Sequence, residues 1–310
     1  MNISVIDPIS RALAHTKRIL FQPFDLGKWF VLGFTAFIAT LGDGGGGGGG
    51  GFHVPTGAGR NNTINGDQII AFIADHIVLI GGIAAAVIVL VLALSAVLLW
   101  LSSRGKFMFL DNVAHNRAEV VAPWKYFRAL GNSLFVFEFG LAVAVLLLML
   151  LALAGAVAIA WHDIVDRVFR TAALGAVIEM VLGLLLIVIV ASIIKSVVRH
   201  FVVPVMYLRN LPVLAALRVF GNELLVGHVW AFVKFLLMCF VLGMAAVLLI
   251  LLVGVCTCCI GCCLMAIPYL GTVLLLPLIV FWRCYALCFL EQFGAQWRVI
   301  ESEAPAAVVA

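Results

Sequence analysis

Six stretches of this chain are too long and too apolar to face water: residues 29–41, 68–101, 139–161, 171–194, 229–253 and 264–290. About 20 apolar residues in a helix match the roughly 30 Å of a bilayer's hydrocarbon layer. The composition agrees. Of the 310 residues, 65% are hydrophobic and 11% are charged, where a soluble domain carries about 25% charged residues. The expected fold is an all-α polytopic membrane protein with six transmembrane helices. The second stretch exceeds one crossing and must tilt or protrude. The first is short for a crossing.

Lys and Arg set the orientation, because they are retained on the cytoplasmic side. With the N-terminus inside, Arg11, Lys17, Arg18 and Lys28 are cytoplasmic. So are the basic residues between the second and third stretches, between the fourth and fifth, and after the sixth. Of the 19 Lys and Arg residues, only Arg60, Arg167 and Arg170 fall outside. Both termini are therefore expected in the cytoplasm. The opening "MNISVIDPISRALAHTKRIL" lacks the apolar core and small-residue site of a cleaved signal peptide. The basic residues are dispersed, so the net charge of +4 gives no nucleic-acid signal.

An internal pattern organises the six stretches into three units, approximately 1–101, 102–194 and 195–310. "RILFQPFDLGKWF", "RALGNSLFVFEFG" and "RVFGNELLVGHVW" each lead directly into an apolar stretch. Each follows a proline-opened segment, at Pro8, Pro123 and Pro212, and proline in the first turn is a helix start signal. In the first segment Ile9, Leu13, Thr16 and Leu20 share one face, and Arg11, His15 and Arg18 another. The expected unit is an interfacial helix, a bend, and a helical hairpin that crosses out and back. Arg11, Lys17, Arg18, Lys125, Arg128 and Arg218 are the expected lipid contacts of these helices. Trp29, Trp124 and Trp230 suit the aromatic belt.

The six-span layout, the basic segment before each outgoing span and the run "PFDLGKWFVLGFTAF" resemble a group of uncharacterised bacterial integral membrane proteins. That group is similar to the membrane domain fused to some glycerophosphodiester phosphodiesterases. The resemblance covers most of the chain and implies a bacterial inner-membrane protein without established chemistry. It does not extend to the hydrolase part of those fusions, so their activity is not implied.

Two local features stand out. "LGDGGGGGGGGFHV" begins a Gly-rich polar outer loop over residues 42–67. It reads as a flexible tether, or as the glycines that complete a short first crossing. It is no phosphate loop, having no Lys-Ser/Thr behind it. "VCTCCIGCC" places Cys256, Cys258, Cys259, Cys262 and Cys263 at the outer turn between the fifth and sixth stretches. They read as small apolar packing residues or as the partners of a disulfide. A metal site is disfavoured, because no second ligand pair lies in register. Residues 301–310 read as a flexible tail.

Glu179 is the one acid placed well inside a span, and intramembrane carboxylates are candidate functional groups. No hydrolytic, Walker or metalloprotease motif is present, and no cofactor is implied. The expectation is a non-enzymatic structural or assembly protein, or a lipid-interacting scaffold, with membrane lipids as partners. A transporter or channel for a lipid or small solute is the alternative.

Overall fold

The computed structural model describes residues 3–43, 77–165, 171–257, 265 and 267–300. The glycine run, most of the cysteine turn and the tail lie outside these residues. The described chain is helical, with no strand among the described residues. The helices are α1 (Asp7–Phe21), α2 (Leu26–Thr40), α3 (Ile77–Ala114), α4 (Val121–Tyr126), α5 (Arg128–Val165), α6 (Thr171–Val197), α7 (Val203–Arg209), α8 (Val213–Val219), α9 (Val229–Cys256), α10 (Pro268–Leu274) and α11 (Leu276–Glu291).

Four helices are long and apolar enough to cross a bilayer: Gly81–Ala114, Arg128–Trp161, Leu174–Arg209 and Val229–Cys256. Their most apolar windows are almost wholly exposed. At one end of each, the exposure changes. In α3, residues 81–95 are all exposed, whereas residues 102–110 are all buried. The buried ends of α5, α6–α7 and α9 contribute Leu134, Phe201 and Phe235 to the same core. The molecule is thus a packed body from which four apolar helices extend, α5 and α6 packed against each other with Ala156 and Ala176 buried. Helices that expose so much Leu, Ile and Val are stable in lipid and not in water.

The other two apolar stretches are built differently. The first forms α2, whose 15 residues span about 22 Å. It starts where Asp25 accepts from the Gly27 N–H at 2.8 Å, an N-cap contact. It lies antiparallel to the buried end of α3. Lys28 Nζ donates to Asn116 Oδ1 at 2.6 Å, and Ser102 Oγ donates to the Ala39 carbonyl at 2.8 Å. Gly105 makes the close approach possible: a Cβ there would stand 2.6 Å from Ile38 Cγ2 and 2.8 Å from Ala39 N.

The sixth stretch is broken at Leu275 into α10 and α11. Pro277 has no N–H for the Val273 carbonyl four residues back, so the helix cannot run through. The Trp29 indole donates to that carbonyl instead, at 3.0 Å. Proline and tryptophan together fix α10 against α2.

A short proline-opened helix precedes α2, α5 and α9, as the sequence pattern requires, but these are α1, α4 and α8 with 15, 6 and 7 residues. The first is not a free interfacial helix. It buries Pro8, Ala12, Thr16, Ile19 and Leu20, a face rotated from the expected one, and leaves Leu13 62% exposed. It packs on α11 near the other end of the chain. Arg11 pairs with Glu291, Tyr285 Oη donates to the Val5 carbonyl at 3.0 Å, and Ser4 and Gln292 exchange two bonds of 2.9 and 2.8 Å.

Candidate functional site

The buried end of α3 reads "SSRGKFMFL", and its polar residues are each accounted for. Ser103 Oγ donates to the Leu99 carbonyl at 2.9 Å and to Glu138 Oε2 at 3.0 Å. Lys106 Nζ lies 2.6 Å from Glu138 Oε1 on α5, with 4% and 8% of the two side chains exposed. Arg104 donates from Nε and Nη2 to Asn132 Oδ1 at 3.2 and 2.8 Å. Its guanidinium lies 4.3 Å from the Trp100 ring and 5.2 Å from that of Trp124, a cation held by two aromatic faces. Gly131 lets α5 approach, since a Cβ there would stand 3.1 Å from Arg104 Cα.

Between α6 and α7 the helix widens over Val198–Val202, with the Val203 N–H bonding back to the Val198 carbonyl. Pro204 explains the widening. It has no N–H for the His200 carbonyl, and a five-residue turn accommodates the mismatch. Arg283 of α11 fastens this turn to α3. Its Nη1 donates to the Arg199 carbonyl at 2.8 Å and its Nη2 to the Lys106 carbonyl at 3.1 Å.

Beside these groups lies a cavity of about 390 Å³. It is formed by α2, α3, the wide turn, α9 and α11. Lys106, Arg199, His200 and Arg283 line it together with Thr40 and Trp282. The rest of its wall is aliphatic or aromatic apart from the thiol of Cys239, and among the described residues no carboxylate lines it. The His200 Nδ1 is buried without a hydrogen-bond partner, and the edge of Phe235 faces the imidazole with ring centres 5.9 Å apart. A lining of cations, one imidazole and apolar side chains suits an amphiphilic anion. Among the described residues no group of three His, Cys, Asp or Glu side chains gathers.

Residues 3–276 match a family model described as "Family of unknown function (DUF7544)". The chain belongs to DUF7544. No curated protein and no solved structure matches it.

In this DUF7544 chain the residues singled out from sequence are dispersed. Glu179 lies on an exposed face of α6 and does not line the cavity. Lys17, Lys125, Arg128 and Arg218 are exposed. Arg11 is engaged by Glu291, and Arg18 is half-buried. Cys256 ends α9 as an exposed free thiol, while Cys258, Cys259, Cys262 and Cys263 lie outside the described residues.

The cluster that does form, Lys106 with Glu138 and the cavity around Arg199, His200 and Arg283, was not singled out as a site. Its basic members served only as orientation signals. One signal could have found it. Glu138 stands inside "LFVFEFG", and an acid at the foot of an apolar helix needs a cationic partner. Arg104 and Lys106 are the two basic residues that directly follow the second apolar stretch.

Proposed function

We propose that this chain is a lipid-interacting scaffold of a bacterial inner membrane, structural in role and without catalysis of its own. In this reading both termini are cytoplasmic. The three proline-opened segments with their apolar partners are three related units, and α2 and the α10–α11 pair are the reduced first and sixth spans. Membrane lipids are its partners, met by Lys17, Lys125, Arg128 and Arg218 at the headgroups. One observation carries the reading. Four apolar helices, two of them (α5 and α6) paired as a hairpin, present largely unburied surfaces at one end and are locked into a common packed body at the other. That arrangement offers a long lipid or helix contact surface on a rigid base.

The experiment is mild cross-linking in native membranes, followed by purification and mass spectrometry of protein and lipid. A stoichiometric protein partner or a specific lipid supports the scaffold. Recovery of the chain alone, with bulk lipid in bulk proportions, overturns it.

The cavity favours a second reading, transport of a lipid or small solute. In that reading Glu179 would couple ions to movement, so Glu179→Gln abolishes uptake while leaving scaffold contacts intact. The exposed position of Glu179, away from the cavity lining, counts against it.

A further inference from the structure

We propose that the cavity between α2, α3, the wide turn of α6–α7, α9 and α11 is a binding site for the phosphate group of an amphiphile, with Arg199 and His200 as its principal contacts. The inference goes beyond the scaffold reading and rests on the cavity alone. It stands whether or not a protein partner is found.

Four observations converge. First, the lining brings Arg199 and Arg283 together with an imidazole and with Lys106, whose charge is met by Glu138, and among the described residues no carboxylate lines the cavity. A guanidinium on a partly apolar wall attracts an anion more strongly than it would in open water. Second, Arg283 is fixed by the Arg199 and Lys106 carbonyls. The cationic wall is therefore rigid before any ligand arrives, and an ordered guanidinium costs less entropy on binding. Third, the His200 ring carries a buried nitrogen without a partner. Such a group is expensive and calls for an explanation, and it belongs to a five-residue turn of the kind found frequently at functional sites. Fourth, the remaining wall, including Phe109, Leu278 and Ile279, is apolar. A bare inorganic anion would leave that wall unused. At about 390 Å³ the space falls within the range of ligand pockets, roughly 300–1,000 Å³. Guanidinium groups favour phosphate through paired, charge-assisted hydrogen bonds.

The phosphate can belong to an anionic lipid headgroup or to a free phosphorylated solute, and the test separates the two. The full chain is purified in detergent. Native mass spectrometry and thermal unfolding are recorded with phosphatidylglycerol, with phosphatidylcholine and with inorganic phosphate. The comparison is with Arg199→Gln, His200→Gln and Thr40→Phe, the last filling the cavity sterically, and with Arg117→Gln as an exposed-charge control. Retention of about one phosphatidylglycerol per chain, weakened about tenfold or more in Arg199→Gln and Thr40→Phe but not in Arg117→Gln, identifies the headgroup. Stabilisation by inorganic phosphate with the same variant pattern, and no preference for phosphatidylglycerol over phosphatidylcholine, identifies a free phosphate. If His200→Gln does not fold, the other two cavity variants decide. No shift with any probe, or an equal loss in Arg117→Gln, overturns the proposal.

Discussion

Lys106 Nζ lies 2.6 Å from Glu138 Oε1, and neither side chain exposes more than 8% of its surface. The two residues join α3 to α5 at the level where both helices turn from exposed to buried. Removing one partner leaves the other charged and desolvated, which costs about 3–5 kcal/mol. Glu138→Gln and Lys106→Met are each expected to lower the thermal unfolding temperature sharply in detergent. The double variant Lys106→Met/Glu138→Leu is expected to recover most of the loss, because an apolar pair of similar volume needs no ion partner. A double variant as unstable as the sum of the singles would show that the pair is not coupled.

Gly105 and Gly140 test the packed body against the arms. A Cβ on Gly105 would meet backbone atoms, Ala39 N at 2.8 Å and Ile38 C at 2.9 Å, whereas one on Gly140 meets nothing within 4 Å. Small residues permit helices to approach, and backbone cannot yield as a side chain can. Gly105→Ala is expected to loosen α2 from α3, raising hydrogen exchange along residues 26–40. Gly140→Ala is expected to leave exchange unchanged or slower, since alanine is the better helix former. Equal behaviour of the two variants would contradict the observed helix contact.

Much of this architecture was legible in the sequence, for a physical reason: an uncharged apolar run of bilayer length has few alternatives to a helix in lipid. The four long helices follow from that rule, and Pro8, Pro123 and Pro212 mark short helices as their fixed φ requires. Partner choice was not legible. Lys106 and Glu138 are 32 residues apart, and nothing in either local pattern names the other. Residues 102–110 are buried all round, yet "SSRGK" reads as a polar connection, because burial of polar groups depends on partners the sequence does not display. The same holds for α2. Its shortness was visible, but its alignment along the buried end of α3 depends on Gly105, whose role is steric and long-range. Pro277 frees the Val273 carbonyl, and nothing local in the sequence shows that Trp29, 244 residues earlier, takes it.

Arg283 provides a test of the wide turn. It donates to the Arg199 and Lys106 carbonyls at 2.8 and 3.1 Å, and its planar fork serves both with two separate nitrogens in a fixed geometry. Arg283→Lys keeps the charge and loses the fork. It is expected to lower the unfolding temperature and to raise hydrogen exchange across residues 198–206. Arg283→Met is expected to cost more, because the carbonyls then lose the cation as well. Exchange rates indistinguishable from the parent chain in Arg283→Lys would assign the contact to charge alone.

His15 on α1 gives the docking of the first helix a pH dependence. Burial, with Arg11 and Arg18 nearby, lowers its pKa below the usual 6.5, while Glu291 opposes them. The unfolded imidazole therefore takes up a proton at a higher pH than the docked one. Stability contributed by the neutral ring is complete above about pH 6.5 and falls as the pH drops toward the lowered value. Exchange protection of residues 7–21 is expected to fall between pH 7 and 5 in the parent chain and to fall less in His15→Gln. Identical profiles would remove His15 from the account.

Lys125 and Arg128 lie exposed at the junction of α4 and α5, below the point where α5 becomes an apolar arm. In the proposed scaffold reading a cation at that height meets the headgroups, and each contributes about 1 kcal/mol of attraction to an anionic surface. Lys125→Glu/Arg128→Glu reverses both. The variant is expected to fold, since neither residue enters the buried cluster around Arg104 and Glu138. It is expected to lose the preferential enrichment of anionic lipid seen around the parent chain in mixed phosphatidylglycerol–phosphatidylcholine nanodiscs, and the parent's enrichment should itself decline with salt. Lipid composition around the variant equal to that around the parent would place α4 away from the membrane surface.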